Sequence, residues 1–165
     1  TTYPDGSAAI SNTPSLLYPT NAENPLVFTQ TTAPDDFWSG VAMSASGQYQ
    51  IAANDSFIYY STNYGVNWTQ SDALLHGIWY SIAMSASGQY QSACINTAGS
   101  IYYSSNYGIN WFQSNAAPNN WNSITMSASG QYQSAYTSNV TVYISNNYGL
   151  LWNKKNPLMR AFKIY

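Results

Sequence analysis

The chain has 165 residues, of which 45% are hydrophobic and only 6% are charged, and its formal net charge is −2. An ordinary soluble domain carries about 25% charged residues, so we do not expect partners that are selected by charge. Because the four Lys and Arg residues all lie within the last dozen positions, no basic surface can follow a phosphate backbone, which excludes nucleic-acid binding.

The start of the chain lacks the pattern that repeats through the rest of it. Residues 1–25 contain several prolines and no clear periodicity, which predicts an extended N-terminal arm. Residues 26–30 resemble the segments 68–70 and 111–113, so we predict that they form the last strand of a preceding repeat and that the repeat domain spans 26–165. Because the sequence opens without Met or a signal peptide, we expect either a processed product or a piece of a longer protein.

From residue 38 onwards, three tandem copies of one unit of about 42 residues follow each other. The segment Trp-x-x-x-x-Met-Ser-Ala-Ser-Gly-Gln-Tyr-Gln opens the copies at Trp38, Trp79 and Trp121. A second segment, Ser-x-Asn-Tyr-Gly-x-x-Trp, closes them at residues 61–68, 104–111 and 145–152. The repeats span about 38–78, 79–120 and 121–152, and residues 158–165 are predicted to supply one more strand. Repetition at a fixed period indicates an array of one structural unit.

Each unit contains four short strands separated by turn signals. In the first unit we predict strands at residues 38–44, 48–53, 57–61 and 66–70, from alternating small and apolar residues and from aromatic and β-branched content. Gly47 in the Ser-Ala-Ser-Gly turn is free to take a positive φ. Four short strands in about 42 residues are typical of a propeller blade, and no helical period competes. The predicted fold class is therefore an all-β β-propeller of four-stranded antiparallel blades.

The closing segment resembles the Asp-box, also called the BNR repeat. This box recurs in the propellers of sialidases, sortilin-type receptors, photosystem-assembly factors and many microbial and viral proteins. The resemblance covers residues 38–152. It implies a hairpin between the third and fourth strands in which Ser and Asn bond the turn backbone, Gly is left-handed and Trp packs between sheets. The box residues are Ser61, Asn63, Gly65, Trp68, Ser104, Asn106, Gly108, Trp111, Ser145, Asn147, Gly149 and Trp152.

The boxes depart from the family at one position. Asn63, Asn106 and Asn147 stand where the family usually has Asp. Asn keeps an acceptor oxygen that satisfies the same turn but carries no charge. We therefore expect the boxes to be structural, with no metal bound at them.

Three full blades and two fragments do not close a propeller, which typically has roughly four to eight blades. The ends could combine into a fourth blade, several chains could pool their blades, or the sequence could continue. An unclosed array would expose sheet edges, which invites pairing with another copy. We expect closure by additional blades, from another chain or from further sequence. A β-trefoil is the alternative fold, because three repeats of about 40 residues also suit it.

Catalysis and cofactor chemistry are not expected. The sialidase resemblance implies an arginine triad, and this chain contains the single arginine Arg160. Asp36 and Asp72 lie in successive loops between blades and could both reach one face, but a two-carboxylate site needs a pair across a cleft. His76 lies in no nucleophile motif, and we expect an exposed loop histidine. Cys94 is expected to be a small buried hydrophobe in a strand, with no metal, cofactor or disulfide.

The copies differ mainly in their loops, which therefore form the candidate binding face. The variable loops are 31–37, 71–78 and 114–120 between blades, and 54–56, 96–100 and 137–139 between second and third strands. In propellers of this type both sets open on the face away from the boxes. Amides and aromatic rings suit sugar hydroxyls or a protein surface. The candidate binding residues are Asp36, Phe37, Asn54, Asp55, Asp72, His76, Tyr80, Asn96, Asn119 and Asn120.

Three functions remain open, in a fixed order of preference. The first is a non-catalytic structural or assembly module, a surface or particle component that contacts other protein subunits as a homo-oligomer or in a larger assembly. The alternative is a glycan-binding, lectin-like propeller, and a glycoside hydrolase ranks third. The sequence contains no run of about 18 apolar residues, so it predicts no membrane span. The Asn-, Ser-, Thr- and Tyr-rich composition favours an extracellular or virion-surface location.

Overall fold

The computed structural model describes residues 31–73 and 78–155, which belong to one compact unit. These residues form twelve strands in three antiparallel sheets of four strands each. The predicted arm, the predicted strand at 26–30 and the predicted strand at 158–165 lie outside the described residues. Within the described ranges, no helix is long and apolar enough to cross a membrane.

Each sheet contains the four strands of one repeat, hydrogen-bonded in chain order. Sheet 1 contains β1 (Trp38–Met43), β2 (Gln50–Asn54), β3 (Ile58–Ser61) and β4 (Thr69–Gln70). Sheet 2 contains β5 (Trp79–Met84), β6 (Gln91–Ile95), β7 (Ile101–Ser104) and β8 (Phe112–Gln113). Sheet 3 contains β9 (Trp121–Met126), β10 (Gln133–Thr137), β11 (Val142–Ser145) and β12 (Asn153–Lys154). The predicted four strands in each repeat are confirmed.

The strands are shorter than predicted at the turns, because side chains take over the backbone hydrogen bonds there. The fourth strand was predicted over residues 66–70, but β4 has two residues. Upstream of it, the Asn67 N–H donates to Asn63 Oδ1 at 2.9 Å and the Trp68 N–H donates to Thr32 Oγ1 at 2.9 Å. The second strand starts at Gln50 rather than at 48, since the Tyr49 N–H donates to a serine hydroxyl.

The three closing hairpins, residues 61–68, 104–111 and 145–152, have the same internal bonds. In the first, the Gly65 N–H donates to Ser61 Oγ at 3.0 Å, and Trp68 Nε1 donates to the Gly65 carbonyl at 2.9 Å. The corresponding bonds recur in the other two hairpins. The expectation that Ser and Asn bond the turn backbone is therefore confirmed.

Two successive residues of each closing hairpin are left-handed, where the sequence predicted one. Tyr107 has φ +63° and Gly108 has φ +83°, and the other two hairpins repeat this pair. A positive φ at both central residues is the geometry that matches the right-handed twist of flanking strands. The tyrosine was missed because a bulky residue rarely takes that conformation.

The apolar core lies between the sheets, at two joints. Joint 1 places Ile51 and Ile58 of sheet 1 against the rings of Trp79 and Trp111 of sheet 2. Joint 2 repeats this arrangement between sheets 2 and 3, where Trp121 and Trp152 pack on Ala83, Cys94 and Ile101. The predicted packing of the closing tryptophans between sheets is confirmed for joints 1 and 2.

Polar bonds accompany the tryptophans at each joint. The Ala45 N–H donates to the Ala86 carbonyl at 2.9 Å, and the Ala86 N–H donates to the Ala128 carbonyl at 2.8 Å. These alanines occupy the same position in the three Ser-Ala-Ser-Gly turns. At joint 2, the Ser92 hydroxyl also donates to Gln133 Oε1 at 2.8 Å. These three bonds across the joints are made by uncharged groups.

Tyrosine pairs cover both joints at the side of the turns. The Tyr49 ring lies 4.4 Å from the Tyr107 ring, and the Tyr90 ring lies 4.3 Å from the Tyr148 ring, centroid to centroid. In each pair one ring follows a Ser-Ala-Ser-Gly turn and the other belongs to the closing hairpin of the next sheet. Such tilted pairs contribute about 0.5–1.5 kcal/mol beyond their buried area.

Cys94 is fully buried in β6 and belongs to the core of joint 2. Burial raises the pKa of its thiol to about 12 from 9.0, because the thiolate would lose its water, and a hydrogen bond with the Ser81 backbone opposes this only in part. The prediction of a small buried hydrophobe in a strand is confirmed.

We predict that Gly108→Val lowers the free energy of unfolding by about 2–4 kcal/mol, from left-handed strain and overpacking. An added Cβ at Gly108 would meet Gln91 Oε1 at 2.5 Å. Gly47→Val, measured at protein concentrations at which the chain does not associate, is the matched control, since Gly47 also has a positive φ but no described atom of its own chain lies within 4 Å of its added Cβ. It should cost about 1–2 kcal/mol. Equal losses in urea unfolding would contradict this account.

We predict that a thiol reagent at pH 8 leaves native Cys94 unmodified and labels it fully in denaturant, because the thiol is buried and protonated. Because the pKa is raised in the folded state, the unfolded chain loses the thiol proton first as the pH rises. The contribution of Cys94 to folding stability is therefore fully present below pH 9 and is lost as the pH rises towards about 12. Thermal unfolding of Cys94→Ala should therefore depend less on pH between 9 and 12 than that of the parent. Fast labelling of native protein would contradict the prediction.

Candidate functional site

Four asparagines at the loop end of sheets 2 and 3 form one hydrogen-bonded group, which we call the asparagine cluster (Asn96, Asn119, Asn120 and Asn122). Asn120 Oδ1 accepts the Ala98 N–H at 2.8 Å, and Asn96 Nδ2 lies 3.4 Å from Asn122 Oδ1. The Asn119 N–H donates to the carbonyl of Gly99 at 2.9 Å. The two variable loops 96–100 and 114–120 are thereby fixed against each other, as a binding face requires.

The backbone beside this cluster is strained. Thr97 has φ +59° and Ala98 has φ +55°, and both are exposed. A left-handed residue of this kind costs about 1–3 kcal/mol and persists only where its surroundings fix it. Here the Thr97 N–H donates to Asn96 Oδ1 at 2.6 Å, and its hydroxyl donates to the Asn96 carbonyl at 2.6 Å. Thr97 and Ala98 thus form a rigid, exposed tip on the candidate binding face.

Asp36 and Asn54 form a local pair that is occupied by structural bonds. Asn54 is fully buried, and its Nδ2 donates to Asp36 Oδ2 at 2.7 Å. Asn54 Oδ1 accepts the backbone N–H groups of Ser56 and Phe57, and Asp36 Oδ1 accepts the N–H of Phe37 at 2.7 Å. Asn54 therefore shapes the β2–β3 turn, and the exposed carboxylate of Asp36 orders the entry into β1.

Asp72 belongs to joint 1, where it caps the closing hairpin of sheet 2. Its Oδ1 accepts the Trp111 N–H at 3.0 Å, and its Oδ2 accepts Asn110 Nδ2 at 2.6 Å. Thr32 and Asn115 cap the hairpins of sheets 1 and 3 in the same way. Asp36 and Asp72 are thus bonded in different sheets, Asp36 to Asn54 of sheet 1 and Asp72 to the closing hairpin of sheet 2.

The other candidate binding residues stand apart from these groups. Phe37 and Asp55 are exposed in loops, and Tyr80 is exposed on β5. His76 lies outside the described residues. The structure therefore brings together three of the ten candidates, Asn96, Asn119 and Asn120, and it gives Asp36, Asn54 and Asp72 structural partners.

A second surface was missed from the sequence, namely the face of sheet 1 that points away from sheet 2. We call it the open face of sheet 1. Val41 and Met43 are 71% and 61% exposed there, whereas Ile124, which occupies the position of Val41 in sheet 3, is 4% exposed. An open cavity of about 300 Å³ lies on this face, lined by Trp38, Val41, Met43, Gln50, Tyr64 and Trp68, among others. Aligning Val41 with Ile82 and Ile124 could have identified it.

No protein-family profile matches the sequence, and no curated protein matches it. Solved structures do match its fold. YCF48 bound to D1 peptide is similar at 12% identity and a TM-score of 0.59, over 75% of this chain and 40% of that one. A GH74 enzyme from Niastella koreensis is similar at 23% identity and a TM-score of 0.60, over 72% of this chain and 18% of that one. The GH74 xyloglucanase from Xanthomonas campestris is similar at 12% identity and a TM-score of 0.55, over 72% and 21%.

These similarities concern the fold. The chain spans less than half the length of each of these proteins. The described residues form three four-stranded antiparallel sheets that pack side by side as β-propeller blades, and the predicted fold class is confirmed. The alternative of a β-trefoil is wrong, because each repeat forms its own four-stranded sheet.

We predict that Asp72→Ala lowers the free energy of unfolding by about 1–2 kcal/mol, because the Trp111 N–H loses its acceptor. Asp72→Asn is the matched control, since Asn115 performs the same role at joint 2 with an amide oxygen. It should retain most of the stability and should unfold with a weaker dependence on salt. Equal destabilisation by both variants in urea unfolding would show that the carboxylate acts in some other way.

Proposed function

We propose that this chain is a non-catalytic structural module, a component of a surface or particle, which makes protein–protein contacts through its propeller blades. The observation that carries the proposal is the open face of sheet 1. Val41 and Met43 are exposed on it, although the corresponding side chains in sheets 2 and 3 lie against a neighbouring sheet. Exposed apolar surface of this kind marks interaction sites.

The absence of catalysis is part of the proposal. Asp36 and Asp72 are occupied by structural hydrogen bonds, and Arg160 is the only arginine in the sequence. The similar folds include both GH74 enzymes and YCF48, which is described as bound to D1 peptide. At such low identity, neither activity carries over. Because YCF48 is described as bound to a peptide, its similar fold supports the proposal that this chain binds protein partners.

We also propose that the closing hairpins are Asp-boxes with Asn in place of Asp. The support is that Ser61 and Asn63 direct their side chains to the hairpin backbone. We place the chain outside cells or on a particle surface, because its polar surface is built from amides and hydroxyls and not from charges.

Glycan binding is the second candidate, and the asparagine cluster is the observation that favours it. The loops 96–100 and 114–120 are fixed against each other and present amides next to the exposed Thr97–Ala98 tip. Amide donors and acceptors on a rigid surface can bind sugar hydroxyls. A ligand would have to compete with the bonds that these side chains already make, Asn96 with Asn122 and Asn120 with the Ala98 backbone.

The test compares the chain in its natural source with the isolated chain. We expect gently isolated native chain to migrate in a complex of fixed stoichiometry, and we expect xyloglucan, other β-glucans and sialosides to remain uncleaved. Turnover of any of these, or a lone monomer in the native source, would overturn the proposal. Millimolar or tighter glycan binding that Asn120→Ala abolishes would favour the lectin-like alternative instead, with Asn139→Ala on the exposed β10–β11 loop as the control.

A further inference from the structure

We infer that the open face of sheet 1 binds the outward face of sheet 3 of a second copy, so that two chains close one ring of six sheets. This inference rests on the proposed assembly function and specifies its partner. The occupant is argued from joints 1 and 2, because the apolar packing, the serine–glutamine bond, the tyrosine pair and the backbone bond made there each leave two halves exposed on sheets 1 and 3, whereas the cap of the Trp68 hairpin is already supplied by Thr32 of the same chain.

The apolar half of such a joint lies on sheet 1. Trp38, Val41 and Met43 occupy the positions of Trp121, Ile124 and Met126, which pack against sheet 2 at joint 2. The opposing half lies on sheet 3. Its outward side chains on β9, β10 and β11 are Thr125, Ser134, Tyr136 and Val142, at the positions of residues that joints 1 and 2 bury. Both halves are at least partly exposed in the single chain.

A specific hydrogen bond can form between these two halves. At joint 2 the Ser92 hydroxyl donates to Gln133 Oε1. Ser134 is the counterpart of Ser92, and Gln50 is the counterpart of Gln133. At joint 1 the serine position is Ile51, and the facing Gln91 Oε1 is a buried atom without a partner among the described residues. Sheet 3 therefore carries the hydroxyl that suits a facing Gln50.

The tyrosine pairs give a second match. Tyr132 occupies the position of Tyr49 and Tyr90, and Tyr64 occupies that of Tyr107 and Tyr148. Tyr132 is 60% exposed and Tyr64 is 65% exposed, and neither ring has a partner within the described part of the chain. The glycines agree. Tyr49 covers Gly88 and Tyr90 covers Gly130, whereas the space over Gly47, the third glycine of this type, is open.

The turns give a third match through the backbone. The bonds from Ala45 to Ala86 and from Ala86 to Ala128 use one N–H and one carbonyl of the middle turn. The Ala128 N–H and the Ala45 carbonyl are the unused ends of this ladder. A second copy that continues the ladder places these two groups 2.8–2.9 Å apart, as at joints 1 and 2.

The two halves are different surfaces, so the contact is head-to-tail. Head-to-tail contacts make a ring if the rotation closes and a filament if it does not. The described sheets of two copies make six blades, which falls within the roughly four to eight of closed propellers, and those of three copies would exceed it. One position differs from joints 1 and 2. Tyr136 replaces the smaller Ala53 and Cys94, so the ring of Tyr136 must turn aside from the facing Trp38.

The decisive experiment mixes two cysteine variants of the full chain, Ala45→Cys and Ala128→Cys. Both sites are exposed, whereas the native Cys94 is buried. Under mild oxidation, we expect a disulfide-linked dimer in the mixture and none in either variant alone. The intrachain pair Ala45→Cys with Ala86→Cys is the positive control, because these two residues are hydrogen-bonded at joint 1. Linkage within one variant alone, or none in the mixture while the control links, would overturn the inference.

Light scattering of the purified chain gives the independent measurement, with a mass of twice 18.2 kDa expected. Val41→Asp and Tyr132→Ala lie on opposite faces, and each should weaken dimerisation at least tenfold with the fold retained by circular dichroism. Phe112→Asp, an exposed apolar residue on the outer strand of sheet 2, is the matched control and should remain dimeric. A monomer or a filament would overturn the inference. A purified monomer that still joins other proteins in its native source would leave the proposed function standing.

Discussion

The packing of tryptophans between adjacent sheets is the interaction on which this structure depends. A sheet of four short strands, two residues long at its outer edge, has no interior of its own. Its apolar side chains become buried only when another sheet lies against them, as Trp79 and Trp121 are at joints 1 and 2. Repeat units of this kind derive their stability from neighbour contacts. An end sheet therefore retains an unsatisfied face, and the exposure of Val41 follows from the architecture.

The joints are assembled almost without charge, which explains a sequence with so few ionisable residues. Ser, Asn and Gln side chains end the strands, fix the hairpins and cross the joints, as Ser61, Asn63 and Gln133 do. A neutral hydrogen bond contributes about 0.5–1.5 kcal/mol and is hardly screened by salt. The position that caps each closing hairpin accepts a hydroxyl, a carboxylate or an amide, as Thr32, Asp72 and Asn115 show. The joint requires an acceptor oxygen there and no particular charge.

The repeat period made the sheets, the hairpins and the tryptophan packing predictable, because these features depend on residues near each other in the chain. The features that the sequence did not predict depend either on residues far apart in the chain or on an unusual backbone conformation. Asp72 contacts Trp111 across 39 residues, and no local pattern indicates that bond. The left-handed Tyr107 was hidden because its conformation is fixed by the hairpin and not by its own preference. Of the candidate site, the amide content of the loops was readable, but the grouping of Asn96 with Asn120 depends on how two sheets stand beside each other.

The loops and the end faces of the described sheets are under different physical constraints. The exposed Thr97–Ala98 tip lies outside the tryptophan core and can change at little cost to stability, although its loop and loop 114–120 support that core through Gly99 and Ala116. The end faces are not free in this way, because a face that fits a neighbouring sheet must keep its tryptophan, its tyrosine and its turn backbone in register. Sheet 1 keeps all three, in Trp38, Tyr64 and the turn at Ala45, although no described sheet covers it. The turn at Ala45 already serves joint 1, and Trp38 packs on Tyr59 within sheet 1, so Val41, Met43 and Tyr64 are the residues whose retained register a neighbouring blade would explain.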